Sequence, residues 1–346
     1  MSDRQVIATE LLKGQGLGNQ LFCYVTTRCL VMQKHCEFAI LNREILANNI
    51  HSNKGMYFMD IDCGLDMKKE EFSEIYQEKE DRIYLGNSMH DIEHGCYISG
   101  ADEKLLNLNQ SILVYGNMQD EAYFGQYKEE IKQWLKVKPE FDNYEYSRDN
   151  LCIINIRGGE YTSNPELFLR RKYWLDAMKV MRQKRSDMEF MVITDDLSAA
   201  RRILPEVPAY HFDLAGDYTV IKNAKYLILS NSTFAFFPAY TSETVQYIIA
   251  PKYWARHNVS DGYWASEQNI YDEFIYMDRK GKLFTASECR EELTAYKQSS
   301  HRYQKIGIKL SGIRLLTAKC HAKYLICVDL FVRALRSVKR RISSNC

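Results

Sequence analysis

The stretch Cys152-Ile153-Ile154-Asn155-Ile156-Arg157-Gly158-Gly159-Glu160-Tyr161 predicts a buried β-strand that ends in an anion-binding turn. Its apolar run is short enough for one covered strand, and it ends at an arginine, two glycines and a glutamate. A cation at the carboxyl end of such a strand, on backbone freed by glycine, is a common way to hold an anion. We therefore expect Arg157 to lie in a ligand crevice.

Downstream of this strand, apolar runs alternate with amphipathic segments. The pattern predicts helices at 172–184, 197–204, 218–222 and 234–240, and further strands at 189–193, 210–212, 226–229 and 246–250. Alternation at this pace indicates an α/β domain, a parallel sheet with helices on both faces. Ligands of such sheets bind at the carboxyl ends of the strands. Three of the predicted ends are polar, at residues 157–160, 195–196 and 231–233.

These three polar ends suit a nucleotide-diphosphate sugar. Arg157 can make paired, charge-assisted bonds to a pyrophosphate oxygen. Ser232 and Thr233 precede a predicted helix, where hydroxyls and free N–H groups meet phosphate. Asp195 or Asp196 can accept from a base N–H or a ribose hydroxyl. When each cluster is considered alone, helix capping explains the acidic and hydroxyl residues equally well. Three clusters at neighbouring strand ends, however, favour a binding site.

A second glycine-rich turn lies near the start of the chain. A predicted strand at 6–12 is followed by Gly14-Gln15-Gly16-Leu17-Gly18-Asn19-Gln20 and then by apolar residues at helical spacing. This order aims backbone N–H groups and a helix dipole at an anion. Leu21 stands where a dinucleotide fingerprint needs glycine, so that kind of site is excluded. A plain tight turn would also fit, but the two amides Asn19 and Gln20 favour a ligand.

The region from 42 to 150 is predicted to be irregular and acidic. It contains an amphipathic helix at 127–135 and a polar linker at 141–150. Asp60-Ile61-Asp62 matches the DxD pattern with which some glycosyltransferases hold a divalent cation. Because no long apolar strand precedes it, we expect no metal site there.

The totals indicate a folded protein of two domains. The chain has 346 residues, 46% of them hydrophobic and 26% charged. Its 10 cysteines include no CxxC pair, so we expect no zinc or redox motif but thiols in a reducing compartment. The amino terminus lacks the apolar core of a signal peptide, and no apolar run is long enough to span a membrane.

The last segment of the chain, 301–346, has 11 Lys and Arg residues and one acidic residue, Asp329. Apolar residues interleave with the basic ones, which predicts a basic amphipathic helix. Such a helix is typical of surfaces that lie on anionic lipid, although a helix packed back on the protein would show the same pattern. No motif that recognises nucleic-acid bases accompanies this segment, so we expect no nucleic-acid partner.

Taken together, four motifs resemble the α-1,2-fucosyltransferases of glycosyltransferase family 11. They are Gly16-Leu-Gly-Asn-Gln20, Asn155-Ile-Arg-Gly-Gly-Glu-Tyr161, Thr194-Asp-Asp196 and Asn231-Ser-Thr-Phe234 with Ala235-Phe-Phe237. Pro251 to Trp254 resembles a late element of the same family, and the resemblance covers residues 5–260. It implies a GT-B fold: two Rossmann-like domains facing a central cleft, here with a basic helical tail.

The resemblance also implies a role for each part of the chain. Residues 1–150 would be the acceptor side, 151–270 the nucleotide-sugar side, and 271–346 a helical segment with the basic tail. GDP-fucose would be the donor, with inversion at the sugar and no metal or other cofactor. Arg157 would contact the donor phosphates. The remaining donor-binding positions would be Gly16, Gly18, Asn19, Gln20, Asn155, Asp195, Asp196, Asn231, Ser232, Thr233 and Phe234.

The sequence departs from the family pattern at three positions of its central motif. Asn155 replaces a histidine, Gly158 the second arginine and Glu160 an aspartate. Losing one of two arginines removes a charge from the pyrophosphate site. The identity of the sugar donor is therefore not fixed by this motif. Glu160 and, as the alternative, Glu166 are the carboxylates nearest in sequence to the residues expected to bind the donor phosphates. Either could take the proton of the acceptor hydroxyl.

Three functions follow from these observations. The first is an inverting fucosyltransferase that forms an α-1,2 link on a galactose-containing oligosaccharide or lipid-linked glycan, in a bacterial cytoplasm beside the inner membrane. The second is the same scaffold with another nucleotide sugar, because of Gly158 and Asn155. The third is an inactive glycan- or nucleotide-binding protein of surface polysaccharide assembly.

Overall fold

The computed structural model describes residues 5–46, 55–84, 88–108, 111–258, 267–301 and 303–343. The chain forms two compact units, one from Met1–Lys79 with Gly100–Leu293 and one from Glu80–Ser99 with Thr294–Cys346. Both parallel sheets belong to the first unit.

The regular elements of the described residues alternate along most of the chain. The strands are β1 (Val6–Glu10), β2 (Glu37–Leu41), β3 (Ile75–Gln77), β4 (Asp81–Ile83), β5 (Cys96–Ile98), β6 (Ile112–Tyr115), β7 (Leu151–Ile156), β8 (Glu189–Thr194), β9 (Ala209–Tyr210), β10 (Tyr226–Ile228), β11 (Tyr247–Pro251), β12 (Ile275–Met277) and β13 (Leu283–Phe284). The α-helices are α1 (Leu17–Lys34), α2 (Met89–His94), α3 (Glu103–Leu106), α4 (Lys128–Trp134), α5 (Arg171–Lys184), α6 (Leu197–Ile203), α7 (Leu214–Lys222), α8 (Phe236–Tyr240), α9 (Ala286–Ser299) and α10 (Gly312–Ser343).

The first sheet has the strand order β2-β1-β6-β3, and all of its pairings are parallel. β1 is followed by the glycine-rich turn and α1, and the chain returns as β2 beside β1. This is the strand–turn–helix unit expected at the start of the chain. The prediction that residues 42–150 are irregular was wrong in part, because β6 pairs with β1 near the centre of this sheet.

The second sheet has the order β13-β12-β11-β10-β7-β8-β9 and is parallel except at β13. All six residues of β7 are buried, as expected of a strand covered on both faces. The strands predicted after residue 150 are all present, although β9 is shorter than 210–212. The α7 helix starts earlier than predicted, at Leu214, because Asp213 caps it by accepting from the Gly216 N–H over 2.7 Å.

A continuous hydrophobic core joins the two sheets. At its centre, the Phe22 ring of α1 lies 4.8 Å from Phe236 and 4.7 Å from Phe237, centroid to centroid. Both phenylalanines of α8 are fully covered. The Phe236-Phe237 pair of the last motif is therefore a packing element between the first helix and the second sheet.

The predicted α/β class, with two Rossmann-like halves of the GT-B type, is confirmed. Each half contains parallel strands joined by helices: α1 connects β1 to β2 in the first sheet, and α5 connects β7 to β8 in the second. The second sheet follows the strand–helix alternation expected from the sequence.

The second unit contains the β4–β5 antiparallel pair, α2 and the long helix α10. α10 contacts α2. The helical tail expected from the sequence is thus a helix through Ser343. Among the described residues, no helix is both long enough and apolar enough to cross a membrane.

Candidate active site

The three predicted polar clusters meet at one edge of the second sheet. β7 lies between β8 and β10, and its register pairs Ile156 with Thr194 and Ile154 with Ile228. Since the strands are parallel, the residues that follow them emerge side by side. The structure therefore brings Arg157 next to the acidic pair and the Asn231 loop.

Arg157 is held by two carboxylates at this edge. Its Nη1 lies 2.6 Å from Asp195 Oδ2, and its Nη2 lies 3.0 Å from Glu160 Oε1. The guanidinium also lies 5.6 Å from the ring centroid of Tyr161, whose hydroxyl is 3.4 Å from the Asn231 carbonyl oxygen. Arg157 is therefore near the third strand end, and any anion that binds it must compete with a carboxylate.

The two carboxylates differ in how firmly they are held. The Glu160 side chain is 74% exposed and the Asp195 side chain 31%. Asp195 also accepts the Gly158 N–H over 2.7 Å. Glu160 is consequently the partner that an incoming anion would displace first, while Asp195 keeps Arg157 in position.

The Gly158-Gly159 turn is fixed by the acidic pair. The Gly159 N–H donates to Asp196 Oδ2 over 3.3 Å, and Asp196 also caps α6 by accepting from the Ala199 N–H over 2.9 Å. The bond from Ala199 lowers the pKa of Asp196 below its usual value. The capping role considered for the acidic pair is thus present at Asp196, and both aspartates position the turn that follows β7.

Placing the family's second arginine in this chain should be harmful. A Cβ on Gly158 would lie 2.3 Å from the Asp196 Cβ, closer than two carbon atoms can pack. We expect Gly158→Arg to lower the free energy of unfolding by about 2 kcal/mol or more, and to weaken donor binding. Urea unfolding and donor titration of the variant check this; a gain in donor affinity with unchanged stability would contradict it.

The loop after β10 is anchored from inside the sheet. Asn155 is buried, and its Oδ1 accepts from the Ser230 hydroxyl over 2.9 Å. The buried Asn231 donates from Nδ2 to the Leu167 carbonyl over 3.1 Å, while its Oδ1 has no hydrogen-bond partner among the described residues. Asn155 therefore positions this loop, and Asn231 leaves an acceptor for a ligand or water.

The first motif reaches the same loop. A Cβ on Gly18 would lie 2.3 Å from the Thr233 carbonyl carbon and 2.5 Å from the Phe234 nitrogen. The start of α1 therefore packs directly on the Thr233–Phe234 peptide. The first turn of α1 has no acidic residue and no side-chain cap, so the N–H groups at its start have neither a capping side chain nor an intrahelical acceptor.

Both amides of this motif have protein partners. Asn19 Oδ1 accepts from Gln119 Nε2 over 3.1 Å. Gln20 is buried, and its Nε2 donates to the Gln15 carbonyl over 3.1 Å. Gln20 thus shapes the glycine-rich turn, whereas the half-buried Asn19 lies at its rim.

A buried arginine near the end of the second sheet was not among the predicted site residues. Arg256 is 4% exposed and donates from Nη1 to Glu166 Oε2 over 2.8 Å. Asn258 Nδ2 donates to the carbonyls of Pro165 and Phe168, each over 2.9 Å. This segment therefore holds the loop that carries Glu166. The only feature of the sequence that could have indicated it is that Arg256 follows the late Pro251–Trp254 element.

His257, in the same segment, should make folding stability depend on pH. Burial lowers its pKa from 6.5 to about 4, so between these values the unfolded chain binds more protons than the folded one. The free energy of unfolding should therefore fall as the pH drops from 6.5 towards 4, by up to about 3 kcal/mol. Urea unfolding along this range checks it, and His257→Gln should flatten the slope; parallel slopes would contradict the assignment.

A polar cavity of about 490 Å³ lies at the carboxyl edge of the first sheet. Glu10, the last residue of β1, accepts from Asn42 Nδ2 over 2.9 Å, from Lys69 Nζ over 3.3 Å and from the Tyr115 hydroxyl. The Tyr115 bond is the main cause that lowers the Glu10 pKa. The cavity thus presents a fixed carboxylate beside a cation and an amide.

The DxD pattern has cationic neighbours in the structure. Asp60 lies 3.5 Å from Lys138 Nζ, and Asp62 lies 3.7 Å from Arg28 Nη2. In the part of the chain that the structure describes, no three His, Cys, Asp or Glu side chains come together as a metal site.

Residues 32–278 match the model of glycosyl transferase family 11. The chain belongs to glycosyltransferase family 11. The match includes the motifs that follow β7, β8 and β10, and the Gly18 contact links the earlier glycine-rich turn to it. Membership of family 11 makes the protein a glycosyltransferase of the fucosyltransferase-like type, as the sequence motifs indicated.

Among curated proteins, this family 11 chain is similar to an α-1,2-colitosyltransferase of Escherichia coli. The two are 23% identical over 265 residues, which is 69% of this chain and 89% of the relative.

Solved structures show weaker likenesses. The NodZ α-1,6-fucosyltransferase soaked with GDP-fucose, from Bradyrhizobium, matches with a TM-score of 0.39 and 10% identity over 71% of this chain and 94% of that one. The E. coli heptosyltransferase WaaC with ADP matches with a TM-score of 0.39 and 9% identity over 84% and 99%.

Proposed function

We propose that this family 11 protein is an inverting, metal-independent glycosyltransferase that moves fucose from GDP-fucose to a galactose-containing glycan, with an α-1,2 link. Residues 1–150 provide the acceptor side and 151–270 the donor side. Residues 271–346, expected to be a helical segment, add β12 and β13 to the second sheet before α9 and α10. The observation that carries the proposal is the contact of Gly18 with the Thr233–Phe234 peptide. It supports one donor site built from both sheets, with Arg157 at the neighbouring strand end.

The chemistry then depends on charge at the leaving group. In an inverting transfer, the acceptor hydroxyl attacks the anomeric carbon from the face opposite the departing nucleotide diphosphate. Negative charge grows on the pyrophosphate in the transition state, and preorganised donors stabilise it. In this proposal those donors are the Arg157 guanidinium, the first-turn N–H groups of α1, and the hydroxyls of Ser232 and Thr233.

The catalytic base that we propose is Glu160. Its carboxylate bonds Arg157 before the donor binds, and an arriving pyrophosphate would take its place on the guanidinium. The freed carboxylate could then accept the proton of the acceptor hydroxyl. Glu166 is less suited to this role because the buried Arg256 holds it in an ion pair.

A second donor is supported by the departures from the family pattern. Gly158 leaves the site with one arginine fewer than the family pattern has, and the similar protein of E. coli is named a colitosyltransferase. A colitose donor on the same scaffold is therefore the alternative to GDP-fucose.

The acceptor, in this proposal, occupies the polar cavity beside Glu10. Its volume suits a small saccharide unit. A carboxylate, an amide and an ammonium group offer the mixture of acceptors and donors that neighbouring sugar hydroxyls need.

The experiment that tests the function is a screen of nucleotide sugars for release of free nucleotide diphosphate, with and without galactose-containing acceptors. We expect release with GDP-fucose, stimulated by acceptor and unchanged by chelators. Release with a colitose donor alone would select the alternative donor. No release with any GDP-linked sugar, in a protein that folds normally, would refute the proposal.

The acceptor assignment makes a separate prediction for Lys69. Lys69→Ala should raise the acceptor KM about tenfold by removing a hydrogen bond to a charged group, while the donor KM and the acceptor-independent release stay unchanged. Lys132→Ala is the matched control, since Lys132 forms an exposed ion pair with Glu129 on α4. Equal acceptor KM values for Lys69→Ala and the unaltered protein would remove the acceptor from this cavity.

A further inference from the structure

The helix α10 carries an uncovered apolar stripe along its length. Six large apolar side chains of this stripe are between 53% and 84% exposed: Ile313, Leu316, Tyr324, Phe331, Leu335 and Val338. Single exposed apolar residues are normal on protein surfaces, but a contiguous row marks a site of interaction.

The stripe has a regular period. Ile313, Tyr324 and Leu335 stand 11 residues apart, and so do Leu316, Cys327 and Val338. Eleven residues complete three helical turns with a drift of only about 20°. The stripe therefore runs almost straight along the helix for about 38 Å from Ile313 to Val338.

The one buried contact that the structure describes for α10 lies opposite the stripe, in the first half of the helix. Among the α10 side chains that the structure describes, Ala322 alone is buried, and it stands half a turn from Ile313 on the helix. Within its own compact unit, α10 contacts α2. The apolar stripe thus faces away from the buried side of the helix.

Cations border the stripe. The exposed Arg314 and Lys323 stand about 100° and 80° to either side of the line through Ile313. The whole segment 301–346 has 11 Lys and Arg residues against one acid. An apolar row with cations on both sides complements a surface that is apolar inside and anionic at its rim.

We propose that the stripe of α10 binds the surface of an anionic membrane, with the helix lying parallel to it. A second copy of this chain is the other possible occupant of such a stripe. Left-handed coiled coils, however, need a seven-residue repeat, whereas an 11-residue repeat supports a right-handed supercoil. A straight stripe fits a flat surface, and like-charged borders would repel between two copies. The inference is independent of the donor and acceptor assignments.

The test is flotation of the full chain with phosphatidylcholine vesicles and with vesicles that contain about one third phosphatidylglycerol. We expect binding to the anionic vesicles only, weakened at about 1 M salt because the charge attraction is then screened. Leu335→Ser should reduce the partition coefficient about tenfold by removing a side chain from the apolar layer.

The matched control is Ile326→Ser, which should bind as the unaltered chain does. Ile326 is 49% exposed and Leu335 53%, but the two stand half a turn apart on the helix. Circular dichroism and nucleotide release should be the same for all three proteins. Binding that is equal for both vesicle types, or equal for both variants, overturns the proposal. So does a dimer that Leu335→Ser dissociates in sedimentation velocity while no vesicle binding occurs.

Discussion

Arg157→Ala is expected to lower kcat/KM for the donor by about 10²- to 10³-fold, the usual loss when one preorganised donor to a developing anion is removed. The fold should survive. The ion pairs of Arg157 with Asp195 and Glu160 are partly exposed, with 32% of the arginine side chain accessible, and pairs of this kind add no more than about 1 kcal/mol. Nucleotide-diphosphate release and urea unfolding measure the two effects.

Two further variants make this test specific. Arg148→Ala is the matched control, because Arg148 forms a comparable ion pair, 3.0 Å from Glu189, just before β7 and so at the opposite edge of the sheet. It should leave turnover unchanged. Arg157→Lys keeps the charge but cannot form the bidentate hydrogen bonds of a guanidinium, so it should retain only part of the activity. Full turnover by Arg157→Ala would discard the pyrophosphate assignment.

Gly18→Ala is expected to reduce the free energy of unfolding by about 2 to 3 kcal/mol and to abolish donor turnover. The added methyl group would meet backbone atoms of Thr233 and Phe234 at 2.3 to 2.5 Å. Backbone cannot move aside as a flexible side chain can, so the start of α1 must separate from the loop after β10. Chemical unfolding and initial-rate assays check the two expectations.

Gly16→Ala is the control for this substitution. Gly16 belongs to the same motif, two residues earlier, but a Cβ there would meet nothing within 4 Å among the described atoms. We expect a stability change within about 1 kcal/mol for it. If both variants lose the same stability, helix-end propensity rather than the contact explains the loss. If Gly18→Ala is as active as the unaltered protein, the two motifs do not form one donor site.

Local patterns predicted much of the second sheet because its signals are continuous in the chain. β7 is a run of buried residues, and the polar ends of β7, β8 and β10 follow their strands directly. Parallel pairing then brings those ends together, whatever the details of packing. The same reasoning placed the helix after the glycine-rich turn, since α1 has apolar residues at helical spacing.

Contacts between distant residues explain what the sequence could not predict. Glu10, Asn42 and Lys69 have no common motif, and only the folding of the first sheet gathers them around one cavity. The two roles of Asp196, as helix cap and as acceptor for Gly159, depend on the path of a turn nearly 40 residues earlier. Short strands such as β3, with three residues, are too brief for periodicity to reveal.

The aromatic packing around Phe22 bears on how the enzyme works through its catalytic cycle. A hinge motion between the halves would have to pull this ring away from Phe236 and Phe237, exposing three large side chains to water. The free-energy cost of that exposure opposes wide opening. Substrate entry and product release are therefore expected to depend on rearrangement of exposed side chains such as Glu160. The angle between the two halves should stay nearly constant.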